Sequence, residues 1–247
     1  MYAIAIMAKA PFPNNVKTRL IPPLAPFEAS RLYHSFLLDK IEQVKCIEEA
    51  RPFIAYTPES SESFFRSIIP PGFFLINQAG KDLGERLTNV SHELFDQGAA
   101  RVILLDSDTP NLPVDHIREG FSRLNEVDVV LGPCEDGGYY LIGMRAFIPE
   151  IFSGIPWSTA LVTELTLKKV QELGLTVSKL PGWCDVDTEK DLRRLMRDLE
   201  FPSNNCFFCK NTYRWSLSHA DLMTQIKINN FLFSIKVLFF VLKNQNK

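Results

Sequence analysis

The sequence contains few of the features that mark several large protein classes. It has five cysteines in 247 residues, and their spacing forms no disulfide-like framework, so we expect a reducing compartment, the cytoplasm. The net charge of −2 provides no basic surface, and nucleic acid is therefore not an expected partner. No basic segment precedes the N-terminal apolar run, which favours a first strand over a signal peptide.

Three common catalytic motifs are also missing. No G-x-G-x-x-G follows the first predicted strand, which argues against a dinucleotide-dependent dehydrogenase. No G-x-x-x-x-G-K-[ST] is present, so the chain is not a P-loop NTPase, and no G-x-S-x-G elbow of a hydrolase occurs. The four histidines are scattered and form no metal motif: His34, His92, His116 and His219.

The C-terminal part differs in composition from the rest. Residues 203–247 are rich in Asn, Phe, Ile and Lys and hold six basic residues against one acid, Asp221. We therefore predict a domain over residues 1–202 and an atypical basic tail over 203–247. In this tail Phe231–Leu242 has only twelve residues and is interrupted by Lys236, whereas a membrane span needs about 20 residues. Cys206-x-x-Cys209 lacks the second pair of a zinc site.

Three interpretations of the tail stay open: an added strand and helix, a membrane-surface segment, or a non-native extension such as frameshifted sequence. The abrupt shift in composition and the lack of turn residues favour the extension.

Strand-like and helix-like segments alternate over the first 200 residues. Apolar strand segments are expected at 2–7, 52–57, 73–77, 101–105, 128–132 and 175–180, with a further aromatic-apolar strand after 138. Helical spacing of apolar residues predicts helices at 26–49, 60–69, 83–97, 114–124, 160–173 and 188–199. This alternation predicts an α/β fold in three layers around a mostly parallel mixed sheet.

A pair of acids follows the strand at 101–105. Asp106 and Asp108 stand at its carboxyl end, which in an open α/β sheet faces the ligand crevice. Carboxylates in that place are hard oxygen ligands for Mg²⁺ or Mn²⁺. A solvated turn is the alternative, because Asp, Ser and Pro are common turn formers.

The loop after the first strand carries three cations, Lys9, Lys17 and Arg19. Lysine binds phosphate as a point charge and arginine as a bidentate fork, so these side chains are candidates for holding a polyphosphate. A solvated basic loop is the alternative, and the position directly after the first strand favours the phosphate site.

Glu135 and Asp136 precede Gly137 and Gly138. Gly-Gly is the strongest turn signal in the chain, so a tight hairpin is one interpretation. The other is a site in which the two backbone amides hold a ligand and one of the two carboxylates acts as general base. Further along, Thr188 is a predicted N-cap, and capping does not account for Asp185 and Asp187, which precede it.

Five segments, in this order, resemble one bacterial family: AKAPFPNNVKTRL, LLDSDTPNL, VVLGPCEDGGYYLIG, IPWST and DVDTEKDL. The family is that of the nucleotide-diphospho-sugar-transferase-like proteins encoded near radical-SAM and selenodomain genes, usually described as arsenosugar-biosynthesis glycosyltransferases. The resemblance covers residues 1–199 and implies a Rossmann-like GT-A fold. More distantly, the chain resembles 2-phospholactate guanylyltransferase and the molybdenum-cofactor guanylyltransferases.

The resemblance also implies roles for individual residues. Lys17 and Arg19 would hold phosphates, Asp108 would bind the divalent metal, and Asp187 or Asp185 would be a second metal contact. The chain departs from the family at Asn14-Asn15, where a glycine is usual, and in the tail after Pro202.

Three functions are compatible with these observations. The first is a metal-dependent glycosyltransferase that uses a nucleotide-diphospho-sugar donor and a small-molecule acceptor. The second is a nucleotidyltransferase that joins a nucleoside triphosphate to a phosphate and releases pyrophosphate. The third is a nucleotide-binding protein without catalysis. The short first loop, which lacks the glycine-rich start common in pyrophosphorylases, favours the first.

Overall fold

A computed structural model describes residues 1–200, 207 and 209–220. Its strands are β1 (Tyr2–Lys9), β2 (Ala50–Thr57), β3 (Phe74–Asn77), β4 (Arg101–Leu105), β5 (Val129–Pro133), β6 (Tyr139–Met144) and β7 (Val177–Lys179). Its α-helices are α1 (Pro26–Lys45), α2 (Glu62–Ile68), α3 (Leu83–Asp96), α4 (Val114–Arg123), α5 (Val162–Glu172), α6 (Glu189–Glu200) and α7 (Lys210–Ser218). The predicted elements of the domain are thus all present, with ends shifted by a few residues.

The strands form one seven-stranded sheet in the order β3-β2-β1-β4-β6-β5-β7. Strand β6 pairs antiparallel with β4 and with β5, and every other neighbouring pair is parallel. The predicted mostly parallel mixed sheet is confirmed. Because the parallel strands all run the same way, their carboxyl ends lie along one edge of the sheet.

Alternating residues of the central strands pack on opposite faces of the sheet. Ile4 and Ile103 lie in a core with helices α1, α2, α4, α6 and α7. Ala5 and Leu104 lie in a second core with α3 and α5. Two apolar cores separated by a sheet give the three-layer architecture that the sequence predicts.

Two helix starts follow the expected capping chemistry. The amide of Glu85 donates to Asp82 Oδ1 at 2.9 Å, but the Glu85 carboxylate accepts from the Lys81 amide instead of closing a box with Asp82. The amide of Thr188 donates to Asp191 Oδ2 at 2.8 Å, as expected for the start of α6.

Part of the predicted tail packs against the domain. Helix α7 lies on α1, with Thr212 and Trp215 buried at the interface. Asp39 accepts hydrogen bonds from both the amide and the side chain of Asn211 and of Thr212. On an amphipathic helix such as α1, a charged residue like Asp39 is most simply predicted to face solvent, and this prediction is wrong, since the side chain is buried against α7.

Other interpretations of the tail concern residues that the structure does not describe. The predicted boundary at Pro202, the apolar segment Phe231–Leu242 and Cys206 all lie outside the described residues. Of the helices in the described part of the chain, none has both the length and the apolar content required to span a bilayer.

Candidate functional site

A cavity of about 420 Å³ lies at the carboxyl edge of the sheet. It is bordered by the loop after β1, the segment after β4, the β5–β6 turn and the segment before α6. Its described lining consists of Arg19, Leu83, Asp106, Asp108, Cys134, Asp136, Gly138, Tyr139, Trp157, Ser158, Thr159, Ala160, Val162, Asp185 and Asp187. The sequence places five of these acids at strand ends or loops near this edge, and the structure brings all five to one cavity.

Lys17 connects two of these acids. Its Nζ lies 2.5 Å from Asp108 Oδ1 and 2.9 Å from Asp187 Oδ1, and its side chain is 3 % exposed. Burial opposes the charged ammonium, but the two carboxylates outweigh burial and hold the pKa of Lys17 above its ordinary value. Lys17 therefore carries a firmly held positive charge directly behind Asp108 and Asp187, which line the cavity.

The loop that carries Lys17 uses left-handed backbone conformations. Lys17 has φ of 49° and Asn14 has φ of 65°. Asparagine adopts this conformation more readily than most residues, so Asn14 serves at a place where the related family usually has glycine. A left-handed lysine is uncommon and is consistent with a side chain whose position is fixed by the surrounding charges.

Asp187 is balanced by two cations. Besides Lys17, Arg19 NH1 lies 3.3 Å from Asp187 Oδ2. Burial acts to raise the pKa of Asp187, but Lys17 and Arg19 prevail and lower it. The ammonium of Lys17 lies between Asp108 and Asp187, so it competes with a metal ion for the position that the resemblance implies.

Asp106 has a separate buried partner that sequence reasoning did not identify. Lys40 on α1 is fully buried and donates to the backbone and side-chain oxygens of Thr109, both at 2.8 Å. Its Nζ also lies 3.6 Å from Asp106 Oδ1. Burial raises the pKa of Asp106 to about 6, although Lys40 opposes that shift. In the sequence, helical spacing places Lys40 on the same apolar face of α1 as Phe36. A lysine on that face is the signal that could have indicated a buried, paired side chain.

In the part of the chain that the structure describes, a third group of site residues forms no salt bridge with a cation. Ligand atoms of Cys134, Asp136 and Asp185 lie within 4.8 Å of one another. Burial, followed by repulsion from Asp136, Asp187 and Asp106, raises the pKa of Asp185 to about 7. Burial and the nearby acids also raise the pKa of the Cys134 thiol, which keeps it neutral. A carboxylate is the donor type that Mg²⁺ and Mn²⁺ prefer, so Asp185 fits a hard divalent cation, with Asp136 beside it.

Glu135 does not share this cavity, contrary to the prediction that it is a candidate base beside Asp136. Its carboxylate pairs with Arg194 NH1 at 2.8 Å and is mostly exposed. It lines a second cavity of about 240 Å³ with Trp183 and Cys184. Neighbouring residues of a tight turn point in different directions, and this geometry separates Glu135 from the reacting side.

The positions of Lys9 and of the Gly137 and Gly138 amides do not support their predicted roles in phosphate binding. Lys9 is exposed and does not belong to the described cavity lining. The amides of Gly137 and Gly138 already donate within the turn, to Cys134 O at 3.2 Å and to Asp136 Oδ1 at 2.8 Å. The predicted hairpin is present instead, since β5 and β6 pair antiparallel around this turn.

Gly137 is required by its backbone and by close packing. Its φ is 92°, and a Cβ there would lie 2.1 Å from Ala160 O. The turn therefore packs directly against the segment before α5. The sequence analysis predicts no site role for Trp157, Ser158 and Thr159, but all three line this cavity together with the acids.

Comparisons with known proteins agree with this architecture. A family model described as "Uncharacterized protein conserved in bacteria (DUF2064)" matches residues 40–159. A solved structure from Desulfovibrio desulfuricans G20, named as a candidate nucleotide-diphospho-sugar transferase, is 34% identical, with a TM-score of 0.83, and the match covers 92% of this chain and 99% of that one. No protein with a curated description matches the chain significantly.

Two more distant structures share the fold. A cytidylyltransferase from Leptospira borgpetersenii has 13% identity and a TM-score of 0.55, over 90% of this chain and 96% of that one. A 4-diphosphocytidyl-2C-methyl-D-erythritol synthase from Anaerococcus prevotii has 9% identity and a TM-score of 0.56, over 81% and 96%. Both likenesses concern the fold alone.

Proposed function

The chain belongs to the DUF2064 family and is a relative of the D. desulfuricans protein, and from this premise we propose that it is a divalent-cation-dependent glycosyltransferase. The donor is a nucleotide-diphospho-sugar, and the acceptor is a small molecule with a hydroxyl group. The narrower likeness to arsenosugar-biosynthesis glycosyltransferases stays a prediction.

The observation that carries the proposal is the unequal charge along the cavity. On one side Lys17 and Arg19 balance Asp108 and Asp187. On the other side Asp136 and Asp185 lie close together without a cation among the described residues, and the pKa of Asp185 rises to about 7. A diphosphate would be repelled by these acids unless a divalent cation accompanied it.

In this proposal the two sides have different tasks. Lys17 and Arg19 hold the phosphates of the donor and stabilise the leaving nucleotide. Asp185 holds the cation, with Asp106 and Asp108 close by in the same cavity. When bound, Mg²⁺ or Mn²⁺ would supply charge neutralisation at the diphosphate.

Asp136 is the proposed general base. Its Oδ1 accepts the Gly138 amide at 2.8 Å, which fixes the carboxylate within the cavity. The turn that carries it packs against Ala160, so Asp136 lies where the acid side meets the opposite wall. A carboxylate there can take a proton from an acceptor hydroxyl directly or through one water.

The cavity composition supports glycosyl transfer over nucleotidyl transfer to a phosphate. Arg19 is the cation in the described lining, and it faces Asp187. The wall formed by Trp157, Ser158 and Thr159 carries no charge. A phosphorylated acceptor would need further cations, whereas a hydroxyl acceptor does not.

The experiment is incubation of the full chain with Mn²⁺ or Mg²⁺ and a panel of nucleotide sugars and nucleoside triphosphates. We expect a nucleotide sugar to yield free nucleoside diphosphate and a glycosylated product, and EDTA to stop the reaction. Pyrophosphate release from a triphosphate would select nucleotidyl transfer instead. Tight nucleotide binding without turnover of any donor would leave a binding protein.

A further inference from the structure

The cavity wall that contains Trp157, Ser158 and Thr159 has a defined structure. Trp157 and Tyr139 meet edge to face, with ring centroids 6.4 Å apart and an interplanar angle of 82°. Leu83, at the first turn of α3, also lines this side and is 41 % exposed. The sequence segment IPWST, which belongs to the family resemblance, thus supplies a cavity wall to which the proposed reaction assigns no task.

Close packing holds Trp157 in place. A Cβ on Gly84 would lie 2.6 Å from the Trp157 indole nitrogen, so glycine is required for the ring to rest against α3. The following segment is tied to the Gly-Gly turn, since the amide of Thr163 donates to Gly137 O at 2.9 Å and its hydroxyl donates to Gly138 O at 2.5 Å. The distance between this wall and Asp136 is therefore fixed by direct contacts.

Ser158 adds polar groups at a strained position. Its φ is 63°, which is uncommon for a residue other than glycine. Its side chain lines the cavity and is exposed there. The Tyr139 hydroxyl is buried and without a partner among the described residues. A left-handed backbone position and a buried hydroxyl without a partner, both in residues that line a cavity, are typical of a ligand site.

From these observations we propose that the Trp157–Ser158 wall binds an uncharged, hydroxyl-rich ring, that is, a neutral sugar or cyclic polyol. The apolar C–H face of such a ring can cover the indole, which removes apolar surface from water. Its hydroxyls can exchange hydrogen bonds with Ser158 and Asp136. A phosphorylated or carboxylated ring is disfavoured, because the wall has no cation and the facing acids are negative.

This inference rests on the proposed function, since the ring is either the glycosyl group of the donor or the acceptor. The two sources share the same chemistry and differ in what they require. A donor sugar binds only as part of a nucleotide sugar, whereas an acceptor ring binds in free form beside a nucleoside diphosphate.

The test follows the indole N–H resonances of the full chain by ¹⁵N NMR. The probes are glucose, mannose, galactose, N-acetylglucosamine, ribose and myo-inositol, with glucose 1-phosphate for comparison. Each is added in the presence of a nucleoside diphosphate and of Mg²⁺, without Mn²⁺. A second series uses UDP-glucose and GDP-mannose, with UDP and GDP alone for comparison. We expect at least one neutral ring or nucleotide sugar to shift the Trp157 signal saturably.

Two variants and one control establish the site. Trp157→Leu should weaken ring binding about tenfold, because it removes the aromatic face and keeps an apolar side chain. Ser158→Gly should weaken it without lowering Tm, because glycine relieves the positive φ while the hydroxyl is lost. Trp183→Phe, in the second cavity, should leave ring binding unchanged.

The outcomes separate this inference from the proposed function. The inference is overturned if nucleoside diphosphates bind but neither a neutral ring nor a nucleotide sugar moves the Trp157 signal beyond the effect of the diphosphate alone, or if glucose 1-phosphate binds more tightly than every neutral ring and nucleotide sugar. It is also overturned if Trp157→Leu and Ser158→Gly bind the ring as the parent does. Absence of any nucleotide binding would instead count against the proposed function.

Discussion

Asp185 and Asp187 are two residues apart and line the same cavity, yet their carboxyl pKa values move in opposite directions. Asp187 faces Lys17 and Arg19, and these cations lower its pKa despite burial. Asp185 is buried beside Asp136, and burial together with repulsion from the neighbouring acids raises its pKa to about 7.

The difference shows how one cavity can hold both a phosphate and a cation. On the Asp187 side, Lys17 and Arg19 already neutralise the carboxylate charge. These two cations are therefore in position for the donor phosphates. The Asp185 side has a surplus of negative charge, which an external divalent cation would relieve. Both sides of the cavity therefore contribute to donor affinity for different reasons, and each side can be disturbed separately.

The largest effect is expected for Asp136→Asn. Turnover should fall about 10²–10⁴-fold, because the variant removes the proposed base, while donor affinity should stay near the parental value. Steady-state rates and calorimetric titration of the donor check the two halves of this expectation. Asp115→Asn, at a highly exposed position on α4, is the matched control and should change neither. Loss of donor binding in Asp136→Asn would make Asp136 a cation ligand instead.

The compensated side is tested by Lys17→Met. We expect nucleotide affinity to fall about 100-fold, or about 2.7 kcal/mol, because the variant removes a buried charge and leaves Asp108 and Asp187 to repel the diphosphate. Lys45→Met, which changes an exposed lysine paired with Glu42, should leave affinity unchanged. Parental affinity in Lys17→Met would remove Lys17 from the phosphate site.

Lys40 offers a contrast to Lys17, because burial lowers its pKa more strongly than Asp106 raises it. The variant Lys40→Met should lower the free energy of unfolding by about 3 kcal/mol, since it strands buried oxygens of Thr109 and Asp106. For a chain of this size, that change corresponds to a fall in Tm of roughly 6–12 °C in thermal unfolding. An unchanged Tm would mean that the contacts of Lys40 with Thr109 and Asp106 do not stabilise the segment after β4.

The smallest effect is expected for Glu135→Gln. Its salt bridge with Arg194 is exposed, so stability should change by less than about 1 kcal/mol, and turnover should stay parental. Chemical denaturation and the rate assay measure both. A loss of turnover comparable to that of Asp136→Asn would bring Glu135 back as a base and would contradict its placement in the second cavity.

Much of the fold could be predicted from the sequence because the physical signals are local. Apolar strand runs alternate with helical spacing, and this alternation leads directly to a mostly parallel three-layer sheet. The same reasoning brings Asp106 and Asp108 to the carboxyl edge of the sheet, because parallel strands end there together, whereas the metal-binding role of Asp185 follows only from the family resemblance.

The rest depends on geometry that local patterns do not contain. Glu135 and Asp136 are adjacent, and only the path of the turn decides which one enters the cavity. Lys40 was missed although its spacing places it on the apolar face of α1, and the role of Asp39 depends on α7, which follows about 170 residues later in the chain. Trp157 can line the cavity because its ring packs against Gly84 of α3, where a side chain would clash with the indole.

The most direct test of the central claim is Mn²⁺ binding, measured by calorimetry in the presence of a nucleoside diphosphate, for Asp185→Asn and Asp187→Asn side by side. We expect Asp185→Asn to weaken Mn²⁺ binding by about tenfold or more, because it removes an uncompensated carboxylate ligand. Asp187→Asn should weaken it by roughly threefold or less, because Lys17 and Arg19 already neutralise that carboxylate. An equal loss in both variants, or a larger loss in Asp187→Asn, would contradict the division of the cavity into a compensated and an uncompensated side.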